Sequence, residues 1–216
     1  MTRGGRGLFI SFEGGEASGK SLQAQRLART LAARGLEVVP VREPGGTAAG
    51  ERIREILLHA QEAALSAEAQ ALLFTAARAQ LVREVIRPAL SRDAVVVADR
   101  FFDSTLAYQG AAGGADAESL RAITRFAVGE TVPDVTFLLD LAVDAAMARA
   151  GRRSAERPWD RFEAEGRPFH ERLREGYLRL AAAEPGRFVI VDAERAEDEV
   201  AAEISRRVDA LLPTPA

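Results

Sequence analysis

The stretch Gly14 to Ser21, GGEASGKS, fits G-x-x-x-x-G-K-[ST] in full. It follows a short apolar run, LFISFE (8–13), and opens a helical pattern, SLQAQRLARTLAARG (21–35), that closes on Gly35 as a C-cap. A strand, an anion-sized glycine loop and a helix in direct succession leave few architectures open. Main-chain N–H groups and the helix N-terminus point into the loop and hold phosphate oxygens. Gly14, Gly15, Glu16, Ala17, Ser18, Gly19, Lys20 and Ser21 are therefore expected to hold the triphosphate of ATP. Lys20 reaches the β- and γ-phosphates, and the Ser21 hydroxyl is a ligand for Mg²⁺. Lys20 is the single lysine among 29 basic residues. Arginine replaces lysine readily on a surface but not where a tight pocket needs a compact ammonium. Glu16 is the oddity: an anion cradle that carries an anion of its own.

Four more apolar runs, EVVPVR (37–42), AVVVAD (94–99), VTFLLD (135–140) and RFVIVD (187–192), read as strands buried on both faces. A long helical pattern runs from Ser66 to Leu90, with Ser66 and Glu68 marking its start. The alternation predicts an α/β fold with a parallel sheet and helices on both sides. The 216 residues form one domain, 1–216, with a short basic lid at about 150–160. QGAAGGAD (109–116) reads as weakly structured. Several strands end in an acid, Glu13, Asp99, Asp140 and Asp192, at the edge where α/β sheets place their sites.

Composition removes whole classes of function. A net charge of −3 argues against nucleic acid as a partner. With no cysteine there is no disulfide and no thiolate zinc site. The two histidines, His59 and His170, are far apart in the chain. No apolar run reaches the ~18 residues of a membrane span. The first residues lead straight into a strand pattern, so the expected location is the cytoplasm. The chain lacks asparagine, so it cannot carry the N-K-x-D base-reading motif of GTPases. The third strand ends in Asp99-Arg100, where a motor ATPase would carry Asp-Glu. An arginine at that place points to a second anion, a small phosphorylated acceptor.

Arg42 and Arg100, both at strand ends, can hold the acceptor phosphate by charge-assisted hydrogen bonds; Arg42 could instead pair with Glu43. Asp99 is placed to organise Mg²⁺, directly or through water. Pro44, Gly45 and Gly46 form a rigid turn that walls a pocket without filling it. Phe74 and Arg78, four apart on one helix face, can offer a base a stacking ring and a forked donor.

The set EGGEASGKS, REPGGT (42–47), FTAAR (74–78), DRFFDSTLAYQG (99–110) and DRFE (160–163) resembles bacterial thymidylate kinases, nucleoside monophosphate kinases of the P-loop NTPase fold. The likeness runs from residue 8 to about 192. It implies a five-stranded parallel sheet, ATP and dTMP as substrates, Mg²⁺, and a homodimer formed through the long helices. It assigns Arg100 to the acceptor phosphate, Phe74 to stacking on thymine and Arg78 to a thymine carbonyl. Thr105 and Gln109 line the thymine pocket, and Tyr108 stands where a ribose 2′-hydroxyl would go. Glu16 faces the acceptor sugar and accepts from its 3′-hydroxyl. The phosphate loop has no arginine at its variable positions, so a lid arginine is expected to close on ATP: Arg153 or Arg157 first, with Arg152 and Arg161 beside them. Tyr177 either approaches the acceptor or packs. The rival readings are another nucleoside monophosphate or deoxynucleoside kinase, and a P-loop ATPase that transfers nothing.

Overall fold

A computed structural model describes residues 7–58, 65–153, 161–162 and 164–212. The strands are β1 (Phe9–Glu13), β2 (Val38–Arg42), β3 (Val95–Asp99), β4 (Val135–Asp140) and β5 (Phe188–Asp192). They form one parallel sheet in the order β2-β3-β1-β4-β5. Each lies within one residue of an apolar run in the sequence, but only the central strands β1, β3 and β4 are buried on both faces; β2 and β5, at the two edges of the sheet, are partly exposed, against the expectation.

The helices are α1 (Lys20–Ala33), α2 (Ala48–Leu58), α3 (Ala67–Leu81), α4 (Arg87–Ser91), α5 (Phe102–Thr105), α6 (Ala117–Val128), α7 (Val143–Arg153), α8 (Arg167–Ala183) and α9 (Glu197–Asp209). Their ends follow local chemistry. The Ser66 hydroxyl accepts from Ala69 N at 3.2 Å and starts α3; Asp116 accepts from Ser119 N at 2.8 Å and starts α6. Helix α9 opens on Glu197, Asp198 and Glu199 and closes on Arg206 and Arg207, matching its macrodipole. The pattern from Ser66 to Leu90 is continuous but not uniform. A π-helical turn, Val82–Ile86, joins α3 to α4. A second one, Leu106–Ala112, follows α5 directly and takes in the first half of the glycine-rich stretch that reads as weakly structured. Buried Ala107, Tyr108, Gln109 and Ala112 hold that turn in place, so tertiary burial overrides local composition there.

Alternate residues of the strands feed two cores. Ile10, Phe12, Val97 and Phe137 pack with Leu27 and Leu31 of α1 and Val200 and Ile204 of α9. Phe9, Val96 and Ala98 pack on the other face with Leu81, Ile86, Phe101 and Val128. The elements that follow β1 and β3 thus leave the sheet toward opposite faces. That divergence opens a crevice beyond the carboxyl ends of these neighbouring strands, where α/β sheets take their ligands. A buried ion pair braces the floor: Arg187, just before β5, donates to both oxygens of Asp103 on α5, at 2.7 and 2.8 Å, and to Thr136 at 2.8 Å.

Candidate active site

The phosphate loop leaves β1 at Gly14, whose φ is +141°. A Cβ there would stand 2.5 Å from Leu139 O, so the position admits only glycine. Gly19, at φ +90°, is the N-cap of α1. Lys20 is folded over its own loop, donating to Gly15 O at 2.5 Å and Ser18 Oγ at 3.3 Å. Burial, and after it the Arg100 charge, pulls the ammonium down to about 8. A triphosphate would supply anionic oxygens in place of the neutral Gly15 O and Ser18 Oγ that the ammonium now contacts. At the next residue, Ser21 Oγ donates to Asp99 Oδ2 at 2.5 Å, so the two expected Mg²⁺ ligands meet. No group of three or more acidic or histidine side chains suited to a metal occurs among the described residues. A hydroxyl and a carboxylate beside a phosphate loop still fit Mg²⁺, which keeps several waters and takes its other oxygens from phosphates.

Arg100 follows β3 in the left-handed region, φ 70°. Such a residue persists only where its surroundings over-determine it. Here the Arg100 N–H donates to Phe12 O at 3.0 Å and the Phe101 N–H to Glu13 Oε1 at 2.8 Å. The guanidinium is equally fixed. Nη2 donates to Glu16 Oε1 at 2.7 Å and Tyr108 OH at 2.9 Å. Nη1 donates to Gly14 O at 3.2 Å, Ser104 Oγ at 3.2 Å and Tyr177 OH at 3.4 Å. The group sits over the Tyr108 ring, 4.9 Å from its centroid. Tyr108 OH also donates to Glu16 Oε1, at 2.5 Å. The loop carboxylate thus turns toward Arg100 and Tyr108.

Arg42, the other candidate for an acceptor phosphate, does not pair with Glu43. Side chains of successive strand residues point to opposite faces, and Arg42 reaches Glu51 of α2 at 2.9 and 3.1 Å. Glu51 also accepts from Gly46 N at 2.7 Å, which stiffens the Pro44–Gly46 turn. Glu43 instead binds Arg78 through both oxygens, at 2.6 to 3.1 Å. Arg78 is 1% exposed, and its Nη2 also donates to Thr105 Oγ1 at 3.1 Å and Phe101 O at 3.3 Å. It therefore stands behind the cleft wall, backing Glu43 and Thr105, while Phe74 is on the wall. Its Nη1 is buried with no partner among the described residues.

The cleft encloses about 500 Å³. Lys20, Ser21 and Asp99 line one part; Arg42, Pro44, Phe74, Arg100, Thr105, Tyr108 and Gln109 line the other. Among the wall residues to which the sequence assigns no role are Arg54, Ser104 and Phe162. Arg54 donates to Pro44 O at 2.9 Å from α2, whose amphipathic run GERIREILL was the signal for it. Phe162 lies within DRFE and stacks at an angle on Phe74 (6.0 Å) and edge-on to Tyr108 (5.3 Å). Gln109 donates to Gln70 at 3.1 Å, which fixes its amide.

Two strand-end acids stand apart from the cleft. Asp140 is paired with Arg174 at 2.7 and 2.8 Å, and Asp192 accepts from Glu194 N at 2.9 Å. Tyr177 is buried and off the cleft wall. Arg157 and the side chain of Arg153 lie outside the described residues, as does most of the lid at 150–160.

A family model described as thymidylate kinase matches residues 12–204. A curated protein named thymidylate kinase from Pseudomonas fluorescens is 48% identical over 207 residues, 96% of this chain and 95% of its own length. One of the same name from Caulobacter vibrioides is 48% identical over 200 residues, 93% of this chain and 95% of its own. A solved structure of thymidylate kinase from Ehrlichia chaffeensis superposes with a TM-score of 0.75 at 30% identity, covering 94% of this chain and 98% of that one.

Proposed function

The chain belongs to the thymidylate kinase family, and on that premise we propose that it transfers the γ-phosphate of ATP to dTMP, giving dTDP. The observation that carries the reading is Arg100. It is a buried-edge guanidinium in a constrained backbone conformation, facing the phosphate loop across the cleft, with Phe74 and Gln109 beyond it. ATP lies along the loop, and Lys20 exchanges Gly15 O for β- and γ-phosphate oxygens. Ser21 and Asp99 would hold Mg²⁺, which would offset the charge on those oxygens. Arg100 takes the acceptor phosphate in place of Glu16, and the freed Glu16 carboxylate accepts from the 3′-hydroxyl. Phe74 stacks on thymine, while Arg78, buried behind the wall, holds Glu43 and Thr105 in place rather than reaching the thymine carbonyl. Tyr108 closes the space a 2′-hydroxyl would need, which rejects ribonucleotides without weakening the correct substrate. Transfer is direct and in line, with a lid arginine, Arg153 or Arg157, closing over ATP. The unit of function is one kinase domain, 1–216, working in the cytoplasm, where its two nucleotides are.

The test is ATP-dependent phosphorylation of dTMP, dUMP, ribothymidylate, dCMP, AMP and GMP, with Mg²⁺ and then with chelator. dTMP is expected to be turned over best. Loss of one methyl from an apolar pocket costs about 10- to 200-fold in specificity, and dUMP should fall in that range. Ribothymidylate should be rejected and chelation should stop turnover. Equal use of dTMP and the ribose form would remove Tyr108 from the account.

The protein acts as a homodimer. Phe126 of α6 is 92% exposed and Leu72 of α3 is 58% exposed, on two helices that pack side by side. Burying one such ring contributes about 1.5–3 kcal/mol, and a two-fold interface counts it twice. Phe126→Glu is expected to give a monomer in sedimentation equilibrium. A wild-type monomer, or a variant that stays dimeric, would contradict this.

A further inference from the structure

Beneath Arg100 lies a carboxylate with no role so far. Glu13, the last residue of β1, is 0% exposed and is not on the cleft wall. Its Oε1 accepts from the Phe101 N–H at 2.8 Å. Its Oε2 accepts from Ser104 Oγ at 2.6 Å and from Tyr177 OH at 2.9 Å. These two hydroxyls lie 2.9 Å apart, and each accepts from Arg100 Nη1. One carboxylate therefore holds Arg100 in two ways. It fixes the main chain immediately after the left-handed residue, and it orients the hydroxyls that grip one nitrogen of the guanidinium.

We propose that Glu13 is a positioning residue for the acceptor phosphate, acting on Arg100 through the Phe101 main chain, Ser104 and Tyr177. This deepens, and rests on, the reading of Arg100 as the acceptor-phosphate ligand. Burial is costly for a carboxylate and is tolerated where its oxygens are hydrogen-bonded. Both oxygens of Glu13 accept, in three hydrogen bonds, from groups that touch Arg100 or follow it in the chain. Burial, and after it Asp103, pushes this carboxyl up to about 7, and Arg100 opposes the rise. Asp103 is itself neutralised by Arg187, and Lys20 faces Glu13 from the loop. Lys20 makes its own contacts to Gly15 and Ser18, so the ATP side does not depend on Glu13.

The test uses the full chain and steady-state kinetics in both substrates, starting from wild-type turnover of dTMP. In Glu13→Gln the amide offers N–H where two hydroxyls now donate. A misaligned phosphate ligand costs up to ~100-fold in rate, and the KM for dTMP is expected to rise at least about tenfold while the KM for ATP stays within about twofold. Tyr177→Phe removes one arm without changing volume and should shift the KM for dTMP in the same direction by a smaller factor. Ser104→Ala should do the same, and Glu13→Gln combined with Tyr177→Phe should add little to Glu13→Gln alone. A folded Glu13→Gln with both KM values unchanged, or both raised in parallel, would overturn the proposal. If Glu13→Gln does not fold, unchanged dTMP KM values in both Tyr177→Phe and Ser104→Ala overturn it. Wild-type protein that turns over no dTMP would instead sink the parent reading, and this one with it.

Discussion

Arg100→Ala lowers kcat/KM for dTMP by about 10²- to 10³-fold, while the KM for ATP changes by less than about threefold. The asymmetry follows from the contacts. Arg100 touches the nucleotide loop only at Gly14 O and Glu16, whereas its remaining partners, Ser104, Tyr108 and Tyr177, belong to the acceptor side. Lysine is no substitute. Two nitrogens of one planar group reach five partners on two sides, and a single ammonium cannot span them. Arg100→Lys is therefore expected to recover less than about a tenth of the loss. Steady-state kinetics with each substrate varied in turn measures both. An ATP KM that rises in step with the dTMP KM would show that Arg100 serves the donor instead.

Glu43→Leu destabilises the fold by about 3–5 kcal/mol, because it leaves the Arg78 guanidinium buried without its counter-ion. Both side chains are nearly inaccessible, 1% for Arg78 and 4% for Glu43, and solvent cannot replace the lost partner. Burial pushes the Glu43 carboxyl up and Arg78 pulls it back, the sign of a pair sustained by its geometry. The double change, Glu43→Leu with Arg78→Leu, removes the orphaned charge and should restore a large part of the loss. Denaturant titration of wild type, both single variants and the double closes the cycle. A loss below about 1 kcal/mol for Glu43→Leu would mean that Arg78 finds water or a new acceptor. The same pair ties the Pro44 turn to α3.

The elements that were legible are those whose cause is local. β1, β3 and β4 are nearly unbroken apolar runs, and a buried parallel strand needs no other signal. The phosphate loop is a contiguous motif, so its geometry follows from eight successive residues. Ser66 starts α3 as its side chain predicts. What escaped depends on contacts between distant residues. Whether Arg42 pairs with Glu43 or Glu51, and whether Glu43 pairs with Arg78 35 positions away, is decided by the direction of side chains at the end of β2. The π turn over Leu106–Ala112 looks weakly structured because its alanines and glycines carry little local preference. Its order comes from Leu138, Leu173 and Tyr177 packed against it. Glu13 reads as one strand-end acid among four, and only the fold sets it apart as the buried one beneath Arg100. Arg157 and the Arg153 side chain belong to the lid, outside the described residues.

The most direct test follows the γ-phosphate itself. Wild-type protein and Lys20→Ala are each mixed with γ-labelled ATP, Mg²⁺ and excess dTMP, and the products are separated. With wild type the label is predicted to appear in dTDP, with almost none in inorganic phosphate, and Lys20→Ala is predicted to form no dTDP. Label found only in inorganic phosphate, whatever monophosphate is present, would make the chain a nucleotide hydrolase and contradict the assignment of its second anion site.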